Sequence, residues 1–252
     1  MLASALLLAA ANLSFAAEQA PLDLAEWRTP AETSDYTQTP RYAETFAWFK
    51  RLDAASTQVM MGDFGRSPQG RALKVVVLGA ENTPQAAHAT GKPVIFIQAS
   101  IHPGENEGKD ALMALARDLS LGANKNILEH VVLVLVPIFN VDGHERFSPY
   151  NRINQNGPQA MGWRATAQNL NLNRDYVKAD APEMQAWLRL WRNWQPDLLI
   201  DLHNTNGADY QYAMTWAYET AQNISPDLAK WQRDIFNHKL KPSLEKQGWP
   251  VT

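Results

Sequence analysis

Short apolar runs rich in β-branched residues alternate along this chain with stretches whose apolar positions recur at helical spacing. Leu73-Lys-Val-Val-Val-Leu78, residues 93–99, residues 131–138 and residues 197–202 read as strands. The run Val131-Val-Leu-Val-Leu-Val-Pro-Ile138 is apolar throughout, the pattern of a strand covered on both sheet faces, and 197–202 is expected to be a second buried strand. Between them, residues 41–52 place Tyr42, Phe46 and Phe49 on one helical face. Residues 108–121 do the same with Leu112, Leu115, Ala116 and Leu119, and residues 182–194 with Trp187, Leu188 and Trp191. Residues 228–245 are largely helical in pattern, and Phe64-Gly-Arg-Ser-Pro-Gln-Gly70 is turn chemistry between two strands. The alternation predicts an α/β fold: a mostly parallel mixed sheet with helices on both faces.

The strand ends carry the chemistry. The run 93–99 leads into His102-Pro-Gly-Glu105, with a turn at Pro103-Gly104 and a helix beginning near Asn106, and the run 197–202 ends in His203. Ligands of α/β sheets gather at the carboxyl ends of strands. Two imidazoles and one carboxylate delivered there are the ligand set of a catalytic zinc ion with a position left for water. Each residue also has an ordinary alternative: a satisfied core histidine for His102 and His203, a carboxylate at a helix amino terminus for Glu105. The long region from 140 to 178 lacks periodic pattern and carries Asn140-Val-Asp-Gly143, Asn151-Arg152, Gly162-Trp-Arg164 and Asn169-Leu-Asn-Leu-Asn-Arg-Asp175. Arginine and asparagine are the residue types that grip a carboxylate. Asn140, Asp142 and Gly143 are equally suited to shaping a turn, and Arg152 suits a solvated or structural role better than a binding one.

Composition narrows the partners. The 252 residues are 45% hydrophobic and 19% charged, with a net charge of −3 and no Lys/Arg-rich run, so nucleic acid is not an expected partner. Cysteine is absent, so a metal must be held by His, Asp or Glu. Leu2-Ala-Ser-Ala-Leu-Leu-Leu-Ala-Ala-Ala11 has the length of a signal-peptide core and is too short to span a bilayer. Small residues at Ser14 and Ala16 suit cleavage after Ala16 or Ala17, although no basic residue precedes the apolar stretch; a buried amino-terminal helix is the alternative. The expected organisation is a signal peptide over 1–17, an amino-terminal arm over 18–40 and a catalytic domain over 41–252, with export to the periplasm or medium.

In order, His102-Pro-Gly-Glu105, Asn140-Val-Asp-Gly143, Gly162-Trp-Arg164, Asn173-Arg174, Pro182-Glu183 and Asp201-Leu-His203 resemble the zinc carboxypeptidases of the carboxypeptidase A type, peptidase family M14. The stretch Gly65-Arg-Ser-Pro-Gln-Gly-Arg-Ala-Leu73 resembles the same family, and the likeness covers residues 36 to 210. It implies one Zn2+ held by His102, Glu105 and His203, a carboxylate grip made by Asn173 and Arg174, and an Arg164 that polarises the scissile carbonyl. The implied reaction is hydrolysis of a peptide bond at or near a free C-terminal carboxylate by zinc-activated water. Two departures matter. Asn171 stands where animal members of the family carry an aspartate behind a zinc-bound histidine, and an amide brings no negative charge there. The family's general-base glutamate is expected beyond Thr252, so the chain resembles a carboxyl-terminally truncated member that could be inactive by itself. Two other functions stay open: a zinc amide hydrolase of the aspartoacylase or succinylglutamate desuccinylase type, and a non-catalytic zinc-binding fragment.

Overall fold

The computed structural model describes residues 24–219 and 222–252. In chain order the regular elements are α1 (Pro30–Thr33), α2 (Tyr42–Ala55), β1 (Val59–Arg66), β2 (Ala72–Leu78), α3 (Pro84–Thr90), β3 (Val94–Gln98), α4 (Glu107–Ser120), β4 (Val132–Val136), α5 (Val141–Glu145), α6 (Pro182–Trp194), β5 (Leu198–Asp201), α7 (Pro226–Ile235) and α8 (Lys241–Lys246). The leader expected over 1–17 and the first residues of the arm lie outside the described residues.

The five strands form one mixed sheet in the order β1-β2-β4-β3-β5. β1 and β2 make an antiparallel hairpin, and β2 pairs antiparallel with β4. The three strands that carry the candidate chemistry are mutually parallel, with β3 between β4 and β5. Alternation explains how the sheet is buried on two faces. On β3, Ile97 joins one core cluster with α2 and α4, and Phe96 joins another with Trp187 and Leu190 of α6. On β4, Leu133 and Leu135 face the first cluster, and Val132, Val134 and Val136 face the second. All five β4 residues are buried, as an all-apolar run predicts. Phe96 packs edge-on to Trp187, which stacks on Trp191, so the tryptophans of α6 serve as core.

Two expectations change. β5 is not a buried strand: within the described residues it pairs only with β3, and Leu199 and Ile200 are each 36% exposed. An apolar run signals a strand, and its burial is set by neighbours that lie elsewhere in the chain. On α4, Leu115 turns outward and Met113 takes a core position beside Leu112, Ala116 and Leu119.

Residues 205–252 form a second compact unit. It holds α7, a single π-type turn over Phe236–Leu240, and α8. Ala213 N–H donates to Pro250 O (2.8 Å), and Tyr218 stacks on Phe236 at 5.3 Å. No described helix is long and apolar enough to cross a membrane.

Candidate metal centre

β3 and β5 lie side by side with Gln98 opposite Asp201, which brings their carboxyl ends together. The pairing runs one residue further, where Leu202 N–H donates to Gln98 O (2.9 Å), so His203 leaves the sheet beside the chain that follows β3. That chain bends at Ser100, whose φ of 53° is left-handed for a non-glycine residue. It then closes a tight turn in which Glu105 N–H donates to His102 O (2.9 Å).

The three side chains meet. His102 Nδ1 is 3.0 Å from Glu105 Oε1, and His203 Nδ1 is 2.8 Å from Glu105 Oε2. The two rings are 5.1 Å apart. One ligand atom from each residue falls within 4.8 Å of the others, and among the described residues this is the only such group of three His, Asp or Glu. Ligand atoms about 2 Å from a tetrahedral ion stand roughly 3.3 Å apart, so the donor set fits zinc in spacing as well as in kind. Burial alone would raise the Glu105 pKa, but the hydrogen bonds to His102 and His203 outweigh it and hold the carboxyl below the usual range. Glu105 is thus a buried anion ready to ligate.

Both imidazoles turn their Nε2 atoms outward. His102 Nε2 meets Asn171 Oδ1 at 3.2 Å, and His203 Nε2 meets Asp201 Oδ2 at 2.9 Å. Asp201, and then Glu105, raise the pKa of His203 to about 9 in the metal-free protein.

Two arginines close over Glu105. Arg152 is 7% exposed, and its Nη1 donates to Glu105 Oε1 at 3.0 Å. Arg164 is half-buried, with Nη1 3.6 Å from the same oxygen. Burial lowers the Arg164 pKa, opposed by Glu105 and helped by the neighbouring charges of Arg152 and Arg174. The two segments are held differently. Residues 148–161 are closed by backbone bonds between Ser148 and Met161, and Gln155 Nε2 donates to Asn204 Oδ1 (3.1 Å), next to His203. The stretch bearing Arg164 is tied to α5: Trp163 N–H donates to Gly143 O (2.8 Å) and Asn140 Nδ2 to Arg164 O (3.2 Å). A Cβ on Gly143 would stand 2.5 Å from Ala165 O, so this close passage requires glycine. Asn140-Val-Asp-Gly143 therefore shapes and anchors the loop. Buried Asp142 accepts from Ser67 Oγ (2.8 Å), Gln69 N–H (3.1 Å) and Arg71 Nη1 (2.7 Å), pinning the β1–β2 turn.

Asn173 and Arg174 sit in a 3-10 turn, Leu172–Arg174, in which Asn171 Oδ1 accepts from Asn173 N–H (3.0 Å). Arg174 is exposed and donates from Nη1 to Asn173 O (2.7 Å).

The family model described as zinc carboxypeptidase, Peptidase M14, matches residues 45–241, which takes in both histidines, Glu105 and all three arginines. The chain belongs to the zinc carboxypeptidase family. It is 23% identical over 244 residues to carboxypeptidase 2 of Trichophyton tonsurans, covering 91% of this chain and 42% of that protein. The metallo-carboxypeptidase of Burkholderia cenocepacia superposes with a TM-score of 0.54 at 22% identity, over 69% of this chain and 44% of that one. Carboxypeptidase A of Helicoverpa armigera gives 0.63 at 16% identity, over 86% and 57%. These likenesses show a shared zinc carboxypeptidase fold. The chain spans less than half the length of the curated relatives it matches.

Two residues carry more than their sequence context signalled. The sequence favours a solvated or structural Arg152 over a binding one, and the structure shows a buried structural partner of Glu105; Asp201 has no role assigned by its sequence context. For Asp201 a signal existed: residues two apart on a strand share a face, so a carboxylate two before His203 stands beside it.

Proposed function

We propose that this chain supplies the metal-binding part of a zinc metallocarboxypeptidase that hydrolyses peptide bonds at or near a free C-terminal carboxylate. The observation that carries the reading is the convergence of His102, Glu105 and His203, from two strand ends, into one group of suitable donor atoms. In this reading the three residues hold one Zn2+. Bound there, the ion would supply Lewis acidity and a water with a pKa of about 7.

The chain's own residues do the rest. Glu105 and the two imidazoles would hold the ion, while Asn171 and Asp201 stand behind the rings at Nε2 and would orient them. Arg164 would meet charge developing on the scissile carbonyl oxygen, a role supported by its half-buried cation beside Glu105. Asn173 and exposed Arg174 offer an amide and a planar two-pronged donor to the substrate's terminal carboxylate. A proton must pass from the attacking water to the leaving amine, and no carboxylate of this chain is assigned that task. We further propose that the protein is exported, supported by the apolar leader composition of residues 2–11.

The test measures zinc in the purified chain together with release of terminal residues from peptides. The expected outcome is one zinc per chain, and cleavage of peptides with a free terminal carboxylate in preference to amidated ones. Cleavage of N-acyl amino acids alone would favour the amide-hydrolase reading. Zinc bound with neither substrate cleaved would favour a non-catalytic zinc-binding fragment.

A further inference from the structure

The two imidazoles of the centre are alike inside and unlike outside. Each turns Nδ1 toward Glu105, yet His102 rests on the neutral amide of Asn171 and His203 on the carboxylate of Asp201. We propose that Asp201 is the positioning residue of this metal centre, holding His203 in the Nε2–H tautomer and supplying the negative charge that Asn171 does not bring to His102.

The inference rests on the zinc reading above and deepens it. Asp201 Oδ2 is an acceptor 2.9 Å from Nε2. A proton held at Nε2 leaves the Nδ1 lone pair facing the centre, the tautomer a ligand histidine needs. Its backbone is held in β5, in register with Gln98 of β3, and its Oδ1 atom is buried with no hydrogen-bond partner, which leaves Oδ2 to the His203 ring. Next to it Tyr176 OH accepts from the Gln98 amide (2.6 Å), and burial together with the Asp201 charge keeps the tyrosine in its neutral form. With an amide at 171, Asp201 is the one carboxylate standing behind a ligand ring, on the side of the centre away from Glu105. Partners behind a ligand histidine are typically worth ten- to a hundred-fold in metal affinity.

The experiment measures zinc affinity of the purified chain by competition with a chromophoric chelator at fixed pH, for wild type, Asp201→Asn, Asn171→Asp and the double exchange. Asp201→Asn is expected to weaken zinc by roughly ten- to a hundred-fold. Moving the carboxylate across the centre, Asn171→Asp with Asp201→Asn, is expected to recover most of that loss, which a merely structural Asp201 would not show. The single Asn171→Asp variant, which keeps Asp201, carries the test should Asp201→Asn fold poorly: it is expected to tighten zinc, and unchanged affinity would overturn the charge role. Wild-type protein that takes up no zinc overturns the metal reading and this inference with it. Zinc held equally well by wild type and Asp201→Asn, or loss in the single variant with no recovery in the double exchange, overturns the inference alone.

Discussion

Arg152 occupies the space that a side chain on Gly104 would fill: a Cβ there would stand 2.6 Å from Arg152 Cγ and 2.9 Å from Cδ. Gly104 directly precedes Glu105, so the missing Cβ is what lets the guanidinium reach Glu105 Oε1 from 47 residues away. The loop and the turn that bears His102 and Glu105 are fitted to each other at this point.

The first prediction is that the two residues are energetically coupled. Gly104→Ala should destabilise the fold by crowding the arginine stem, and Arg152→Ala by removing a buried partner of Glu105. Together they should lose less than the sum, because truncating Arg152 clears the space the new methyl needs. A coupling of about 0.5–3 kcal/mol is expected for residues in direct contact, read from denaturant unfolding of the two single variants and the double. Strict additivity would mean that the chain relaxes around the methyl without involving the arginine.

Arg174 gives the second prediction. If its exposed guanidinium grips the terminal carboxylate, Arg174→Ala should lower kcat/KM for free-carboxylate peptides by roughly ten- to a hundred-fold, the worth of a hydrogen bond to a charged group. The loss should fall mainly on KM, and the weak cleavage of amidated peptides should hardly change. Equal losses on both substrates would place Arg174 in a structural role.

Asp142 gives the third. Its carboxylate is fully buried and gathers three donors from the β1–β2 turn. Asp142→Ala strands the buried Ser67 hydroxyl and removes the carboxylate partner of Arg71, so a loss of about 1–3 kcal/mol is expected by denaturant unfolding. Zinc affinity should stay near wild type, because the residue anchors the hairpin and touches no proposed ligand.

Much of this site was legible in the sequence because its key residues sit where regular elements stop. Apolar runs end just before His102 and His203, and the ends of neighbouring parallel strands are adjacent in space whatever the loops do. Arg152 was not legible in this way. Its burial depends on a glycine far away in sequence, and nothing in Asn151-Arg152 itself separates a seated arginine from a solvated one. Asn140 and Asp142 could have faced a ligand or shaped a turn. The contacts to Gly143, Arg164 and the β1–β2 turn decide for the turn. The 36% exposure of Leu199 and Ile200 was hidden for a third reason: strand pattern reports apolarity, and sheet order decides what covers it.

The fourth prediction concerns acid. His144 on α5 is fully buried, with Nδ1 3.1 Å from Glu145 Oε1 and Nε2 without a hydrogen-bond partner. Burial lowers its pKa from 6.5 to about 4; the Glu145 hydrogen bond opposes this, while the charges of Lys109 and Arg41 assist it. A histidine whose folded pKa lies below its unfolded value takes up its proton more readily when unfolded. Its contribution to stability is therefore complete above about pH 6.5 and is lost as the pH falls toward about 4. The shift corresponds to a loss on the order of 3 kcal/mol over that window. Glu145, held down to about 2 against the opposing effect of burial by His144 and the Tyr42 N–H, adds its own loss at still lower pH, in the same direction. His144→Gln should remove the slope between pH 6.5 and 4 and, because His144 also holds the Glu145 carboxyl down, shrink the lower limb with it, whatever it does to absolute stability. Melting temperatures of the metal-free protein across that range, compared with the variant, decide the matter, and an unchanged slope would move the acid sensitivity to another group.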